Sequence, residues 1–277
     1  MMPQQGGLSV ERMCVLAGVN RATFYRALRR CAPTDRDMEV RHQIQTICLA
    51  HRRYGYRRVG AALRKAGLVV NHKKVLRLMR RDNLLAVRKR KFLVTTQSGH
   101  GRPVFANYAR HMTPEAVNQL WVADITYIRL RCEFVYLAVV LDAFSRAVVG
   151  WALGRSLQAS LAVKALEAAI TQRNPPPGLV HHSDRGVQYA SDDYITVLER
   201  HKILGSMSRP ATPWDNACCE AFMRTLKQEE IYCTHYTGIE DLEAHLAEFL
   251  EQYYNRLRLH SALNYCTPLS YEQQHAA

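Results

Sequence analysis

No stretch of this sequence approaches the roughly 18 uninterrupted apolar residues of a membrane span. Its start, MMPQQGGLSVER, also lacks the apolar core of a secretion signal. Paired cysteines are missing too: the eight, at positions 14, 31, 48, 132, 218, 219, 233 and 266, form no CxxC motif. That scatter excludes a disulfide framework and points to reduced thiols, so a soluble, cytoplasmic protein is expected. Acidic residues are scarce in one region only. Residues 1–110 hold 5 Asp+Glu against 24 Lys+Arg, a balance of +19, whereas residues 111–277 hold 19 against 14, a balance of −5. A soluble surface with no special task intersperses both signs. A basic part joined to a mildly acidic part suggests a grip on a polyanion attached to something else.

The basic part reads as helical. In SVERMCVLAGVNRATFYRALRR, Ser9 is placed to cap a first helix with Met13 and Leu16 as its apolar stripe. Gly18 breaks it, and Asn20 caps a second helix that shows Arg21, Arg26, Arg29 and Arg30 to solvent. This is a helix, a short turn and a helix, as in proteins that lay a helix in a DNA groove. The next unit, HRRYGYRRVGAALRKAGLVVNHKKVLRLMRRDNLLA, repeats the logic. One stripe is Val59, Ala62 and Leu63; Gly67 ends that helix; Asn71 caps another with Val75, Leu78 and Met79. Arg57, Arg58, Lys73, Lys74 and Arg77 lie between the stripes, and unpaired cations at this density meet phosphate. From Val87 to Ala106 periodicity disappears, which indicates a basic linker that can itself touch DNA. The expected divisions are residues 1–37 and 38–90 for the two helical units, 91–113 for the linker and 114–275 for the remainder.

From Trp121 the pattern turns to β. Strands are expected over Trp121–Leu130, Phe134–Leu141, Ala147–Leu153, Leu179–Ser183 and Ile203–Met207, with helices over Ser156–Arg173 and Asp192–His201. A meander followed by alternating elements implies a mixed sheet covered by helices, with chemistry at the strand ends. Asp124 interrupts the first strand, where aspartate is a poor β-former. The stretch VHHSDRGVQY ends the fourth on Asp184. That cluster can be read as a zinc site of His181, His182 and Asp184, as a carboxylate aimed into a cleft, or as a solvated turn. Glu220 lies in WDNACCEAFMRTLKQEE, a helix expected to be capped by Asp215, with Arg224 and Lys227 on its face and Cys219, Phe222 and Leu226 turned to the core. Three carboxylates in one cleft would repel by about 4 kcal/mol per close pair at an effective dielectric near 20. Hard oxygen donors of this kind suit Mg²⁺ or Mn²⁺, and two such ions would clamp an in-line phosphoryl displacement. Asp142 also follows an apolar strand, but DAFSR is a turn in which a short carboxylate caps backbone, so it is assigned to structure.

Asp124 in WVADITY, Asp184 in HSDRGVQY and Glu220 in WDNACCE, with Lys227 seven places later, resemble the acid triad of DDE transposases and retroviral integrases. The 35 residues between the second and third acids match that superfamily's spacing. The unit YGYRRVGAALRKAGLVVNHKKVLRLMR and the tail YYNRLRLHSALNYCTP narrow the resemblance to the downstream-frame transposases of the IS-three insertion-sequence family, over nearly the whole chain. Asn264 departs from it, since glycine is more familiar at that place. The resemblance implies a ribonuclease H-like α/β core preceded by an all-α helix-turn-helix region, strand cleavage and strand transfer at element ends, and a circular intermediate. It assigns Asp124, Asp184 and Glu220 as ligands of two Mg²⁺ ions, with Mn²⁺ able to substitute, and Lys227 as a residue near substrate DNA. Arg185 is expected on phosphate, and His182, Asn216 and Arg224 in support; His181 is assigned to packing. Zinc is set aside for want of further Cys or His at ligand spacing. Expected partners are double-stranded DNA, further copies of the chain on DNA, and an upstream-frame protein or fusion, in a bacterial cytoplasm on the nucleoid. An inactive DNA-binding repressor and a structure-selective nuclease are the alternatives. Tyr253, Tyr254, Asn255, Arg256 and His260 in the tail are open between a solvated helix end and DNA contact.

Overall fold

The computed structural model describes residues 9–31, 35–86, 104–209 and 216–275. Residues 87–103 of the expected linker, the cap at Asp215 and the side chains of Arg29 and Arg30 lie outside what is described. The chain divides into two compact units at Val87 and Arg88. No helix among the described residues is long and apolar enough to cross a membrane.

The first unit is helical. Helix α1 (Val10–Leu16) is capped by Ser9, whose side chain accepts the Arg12 N–H, and α2 (Arg21–Cys31) follows the left-handed Gly18. Asn20 Oδ1 accepts the Thr23 N–H at 2.7 Å, the capping expected of it. The apolar stripe differs from expectation: α1 buries Cys14, and Leu16 stands 67% exposed. Helix α3 (Asp35–Ala50) was not anticipated and runs across the expected boundary at 37/38. Its signal was the spacing of Val40, Ile44 and Cys48, one face at four-residue intervals, all buried. Helices α4 (Tyr56–Lys65) and α5 (His72–Arg81) complete the group, burying Val59, Leu63, Val75, Leu78 and Met79. Ala61, rather than Ala62, is the buried alanine of α4.

The second unit is built on strands β1 (Leu120–Arg129), β2 (Phe134–Asp142), β3 (Val148–Gly154), β4 (Val180–Ser183) and β5 (Leu204–Met207), in the sheet order β3-β2-β1-β4-β5. The first three pair antiparallel; β4 and β5 join parallel. Side chains alternate between faces, so each face needs its own cover. One is covered by α6 (Ala159–Arg173) and α7 (Asp192–Arg200) over Trp121, Ala123, Val140 and Val149. The other is covered by α8 (Ala217–Leu226) and α9 (Ile239–Ala247), with π-helical turns at Lys227–Ile231 and Glu248–Leu257, over Val122, Val139 and Val180. This is the ribonuclease H-like α/β arrangement.

The tail packs rather than fraying. Asn255 accepts the Val148 N–H and donates to the Val148 carbonyl, both at 2.9 Å, so one side chain stands in for a further strand beside β3. Tyr254, Asn255, Arg258 and His260 are buried, and helix α10 (Pro268–Gln274) is held by the Arg173–Glu272 pair at 2.8 Å. Neither reading offered for the tail describes these residues; only Arg256 keeps an exposed side chain. Residues 104–113, expected in the linker, also pack: Phe105 lies against Gly205, and the Tyr108 and Ala109 N–H groups donate to Ser206 Oγ.

Gly150 on β3 shows how closely α6 approaches the sheet. A Cβ there would stand 2.4 Å from the Ala165 carbonyl oxygen and 2.6 Å from the Ala169 nitrogen. Backbone atoms within a helix cannot yield singly, so Gly150→Ala should destabilise by at least the about 1–3 kcal/mol of an overpacked core. The measurement is the thermal unfolding midpoint; an unchanged value would mean that α6 can lift off the sheet without loss.

Candidate active site

The register of the two central strands brings the first pair of acids together. β1 and β4 run parallel with Trp121 opposite His181 and Val122 opposite His182. Two residues beyond that paired stretch on each chain stand Asp124 and, just past the end of β4, Asp184; by the alternation of side chains both are directed to one face, and the Asp184 charge is felt at Asp124. That face is the one α8 covers. Burial first, and the Asp184 charge second, push the Asp124 carboxyl up to about 7; Glu220 adds to the rise, while the Ile125 N–H and Lys227 oppose it. Asp124 Oδ1 accepts that N–H at 2.9 Å, and Asp184 Oδ1 accepts the Gly186 N–H at 2.9 Å. Gly186 serves by its size: its φ is not in the left-handed region, but a Cβ would meet Asp184 Oδ1 at 2.9 Å and Gln188 Oε1 at 3.0 Å.

Helix α8 carries Glu220 in its first turn, exposed, with Cys219, Phe222 and Leu226 buried beneath as the helical period requires. Asn216 fastens the start of the helix to β1, its Nδ2 donating to the Ala123 carbonyl at 3.0 Å beside Asp124. Its Oδ1 is buried without a hydrogen-bond partner. Lys227, where α8 passes into the π-helical turn, holds its Nζ 5.1 Å from the centre of the Tyr127 ring. Burial lowers its pKa, and the Asp124 charge works against that lowering. Arg224 is exposed one helical turn beyond Glu220. Among the described residues, no three His, Cys, Asp or Glu side chains are grouped to hold a metal ion. The assembled element is the Asp124–Asp184 pair, with the charge of Glu220 acting more weakly on it.

His182 is structural. Ser206 Oγ accepts the Tyr108 and Ala109 N–H groups, so its own proton goes to His182 Nδ1 at 2.9 Å, and the ring donates from Nε2 to Ser208 Oγ at 3.0 Å. Both ring nitrogens are engaged, which removes it from metal ligation and makes it a stay between β4 and β5. His181 packs as expected, 3.1 Å from the Tyr194 hydroxyl, with burial lowering its pKa to about 4. Arg185 Nε donates to the Ser208 carbonyl at 2.8 Å, tying its stem to the scaffold. Asp142 is buried and accepts from the Asn118, Phe144 and Ser145 N–H groups, the turn role read from DAFSR.

Within the helical unit the cations differ in how far they are engaged. Arg41 and Asp82 form a bidentate pair at 2.8 and 2.9 Å. Asp37 meets Lys74 at 2.7 Å and Arg77 at 3.8 Å, so these two are not the unpaired cations expected, because the unanticipated α3 turns an acid toward α5. Arg57 and Lys73 are exposed; Arg58 stands over the Tyr54 ring at 5.8 Å.

Residues 114–213 match the integrase core domain family, residues 201–268 match a second integrase core domain description, and residues 35–92 match an HTH-like domain. The chain is 36% identical over 279 residues to the transposase InsF for insertion sequence IS3A of Escherichia coli K12, covering 99% of this chain and 97% of that one. It is 35% identical over 268 residues to a 31 kDa protein of insertion element IS600 from Shigella sonnei, covering 95% and 98%. Among solved structures it resembles the simian T-cell lymphotropic virus intasome in complex with PP2A regulatory subunit B56 gamma, at 18% identity, TM-score 0.49, over 85% of this chain and 74% of that chain.

The raised Asp124 pKa sets a pH dependence. Between the unfolded value near 4 and about 7 the folded state keeps a proton that the unfolded chain has released, so Asp124 lowers stability progressively as pH rises through that window. Without divalent metal, Asp124→Asn should raise the unfolding midpoint at pH 8 and do so much less at pH 4. Equal shifts at the two pH values would show that the carboxyl titrates normally.

Proposed function

The chain belongs to the IS3 family of insertion-sequence transposases, enzymes of transposition and DNA integration, and we propose that Asp124, Asp184 and Glu220 are the acids that carry its strand cleavage and strand transfer. The observation supporting this assignment is that Asp124 feels the charges of both Asp184 and Glu220, the first just past the end of the strand that pairs with β1 and the second on the helix that covers that face.

An integrase-core enzyme uses a divalent metal, and the donor set fits one. The carboxylates are hard oxygen donors, and burial together with a like charge already drives Asp124 toward its protonated form, an imbalance that a cation would reverse. Asp124, Asp184 and Glu220 would hold magnesium, two ions by this reading, with manganese able to replace it. When bound, the metal supplies positive charge against the phosphodiester oxygens. In the first reaction water adds to phosphorus at an element end and the phosphorus–O3′ bond breaks, leaving a 3′-hydroxyl. In the second, that hydroxyl attacks another phosphodiester, giving up its proton as the new bond forms, and the displaced oxygen is protonated. Lys227 would meet phosphate at the mouth of the site, Arg224 is one helical turn beyond Glu220, and Arg185, held at Nε by the Ser208 carbonyl, is proposed as a further phosphate contact. His182 and Asn216 serve by fixing β4 and α8. The HTH-like unit binds DNA, with Arg57, Arg58 and Lys73 as proposed phosphate contacts and Lys74 and Arg77 as weaker ones because of Asp37. Several copies of the chain on DNA, an upstream-frame partner and a place on the nucleoid complete the reading.

Purified protein with labelled element-end DNA and Mg²⁺ should yield a nick bearing a 3′-hydroxyl. Asp124→Asn, Asp184→Asn and Glu220→Gln should each abolish cleavage and joining while leaving end binding largely intact, and pairs of these should cost little beyond one alone, as in residues that act as a unit. Substantial cleavage by Glu220→Gln would remove that residue from the site. Salt dependence tests the helical unit: Arg57, Arg58 and Lys73 replaced by alanine should make the slope of log affinity against log salt shallower by about 0.9 per contact. Replacing Lys74 should change it less, and a full step there would mean that Asp37 does not hold it.

A further inference from the structure

A row of two aromatic rings with a cation at each end begins beside Asp124. Lys227, close enough to Asp124 to lower its pKa, stands over Tyr127 at 5.1 Å. Tyr127 meets Phe134 edge-on, with ring centres 6.0 Å apart and an interplanar angle of 67°. Arg129 then stands over the Phe134 ring at 6.0 Å. The two strands make this row possible, because Arg129 pairs directly with Phe134 and Tyr127 lies two residues back on the same face, the one opposite to that of Asp124. β1 pairs with β4 only over Leu120–Val122, so β4 does not flank the later residues of β1, and this open edge lets Lys227 reach both Asp124 and Tyr127.

Phe134 is 51% exposed and Arg129 is exposed. A single exposed apolar residue is ordinary on a protein surface; a phenylalanine between a tyrosine and an arginine, with a lysine beyond the tyrosine, is a patterned surface. Lys227 faces Asp124, whereas Arg129 makes no ion pair among the described residues. Glu133, the acid adjacent to Phe134, is engaged by Arg155 at 3.0 Å, and that arginine also reaches Glu240 at 3.6 Å. Exposed rings interleaved with cations are the surface on which unpaired bases stack while their phosphates meet positive charge. From Asp124 to Arg129 the strand advances about 17 Å, enough for a few nucleotides.

We propose that Lys227, Tyr127, Phe134 and Arg129 form a track that binds an unpaired DNA strand where it leaves the acid site, with Phe134 as a stacking platform and Arg129 on phosphate. The proposal rests on the placement of the active site at Asp124 and Asp184. It adds a preference for ends whose strands are separated, which the acids alone do not confer.

The test compares two probes on the full-length protein: a blunt duplex, and the same duplex carrying a short unpaired thymidine flank. Because the HTH-like unit contributes to both, the readout is the ratio of the two affinities. Phe134→Ala should reduce the preference for the flanked duplex about tenfold, Phe134→Trp should keep it, and Arg129→Ala should lower the salt slope on the flanked duplex more than on the blunt one. A 2-aminopurine in the flank should be quenched by wild-type protein and not by Phe134→Ala. An unchanged affinity ratio and unchanged quenching in Phe134→Ala would overturn the track. Cleavage by Asp184→Asn in a parallel assay distinguishes this failure from that of the active-site reading, since it bears on the acids and not on the platform.

Discussion

Two carboxyls of like charge, carried just past the paired stretch of two parallel strands and partly withdrawn from water, are the constraint that the rest of the catalytic unit serves. Left free, such groups separate or take up a proton. Here the separation is blocked by the sheet, because β1 is pinned by β2 and β4 by β5. The cost emerges instead as the elevated Asp124 pKa. A site under this tension requires a stiff frame, and the closely packed layers on both faces of the sheet provide one. The Ser206–His182–Ser208 chain extends that stiffness to the end of β4, immediately before Asp184.

The third acid is positioned differently, by a helix whose two ends are separately fastened. At its start Asn216 grips the Ala123 carbonyl. Beyond its end, Arg258 from the tail makes a bidentate pair with Glu229 at 2.8 and 2.9 Å, both side chains buried, with the Tyr253 hydroxyl on the same carboxylate. Removing one partner of such a pair leaves a charge buried alone, a loss of about 3–5 kcal/mol. The tail thereby acts on the geometry of Glu220 and Lys227 without approaching either acid of the sheet. The π-helical turn that begins at Lys227 belongs to the same region, in keeping with the frequent occurrence of such turns at functional sites.

The helical unit uses part of its positive charge on itself. Arg41 with Asp82, and Lys74 with Asp37, join α3 to the end and face of α5, so the cations available to DNA are fewer than the raw surplus implies. Surface pairs contribute little stability; their consequence here is selective, neutralising some arginines and lysines while leaving Arg57 and Lys73 exposed.

The sequence alone determined the division into a basic helical part and a sheet part, the places of the five strands along the chain, the caps at Ser9, Asn20 and Asn71, the core face of α8, and the structural role of Asp142. All of these follow from local periodicity, charge and turn chemistry, which act over a few residues. Long-range contacts decided the remainder. Nothing near Lys74 in the chain announces Asp37, nothing near Arg258 announces Glu229, and the engagement of both His182 nitrogens depends on serines more than twenty residues away. The tail motif was legible as a motif but not as a packed substitute strand, because Asn255 acquires that role only against Val148. Likewise Asp124 and Asp184 could each be picked out as a misplaced carboxylate, but the burial of Asp124 and its closeness to the Asp184 charge, which together raise its pKa, exist only once two strands some sixty residues apart are paired and covered by helices.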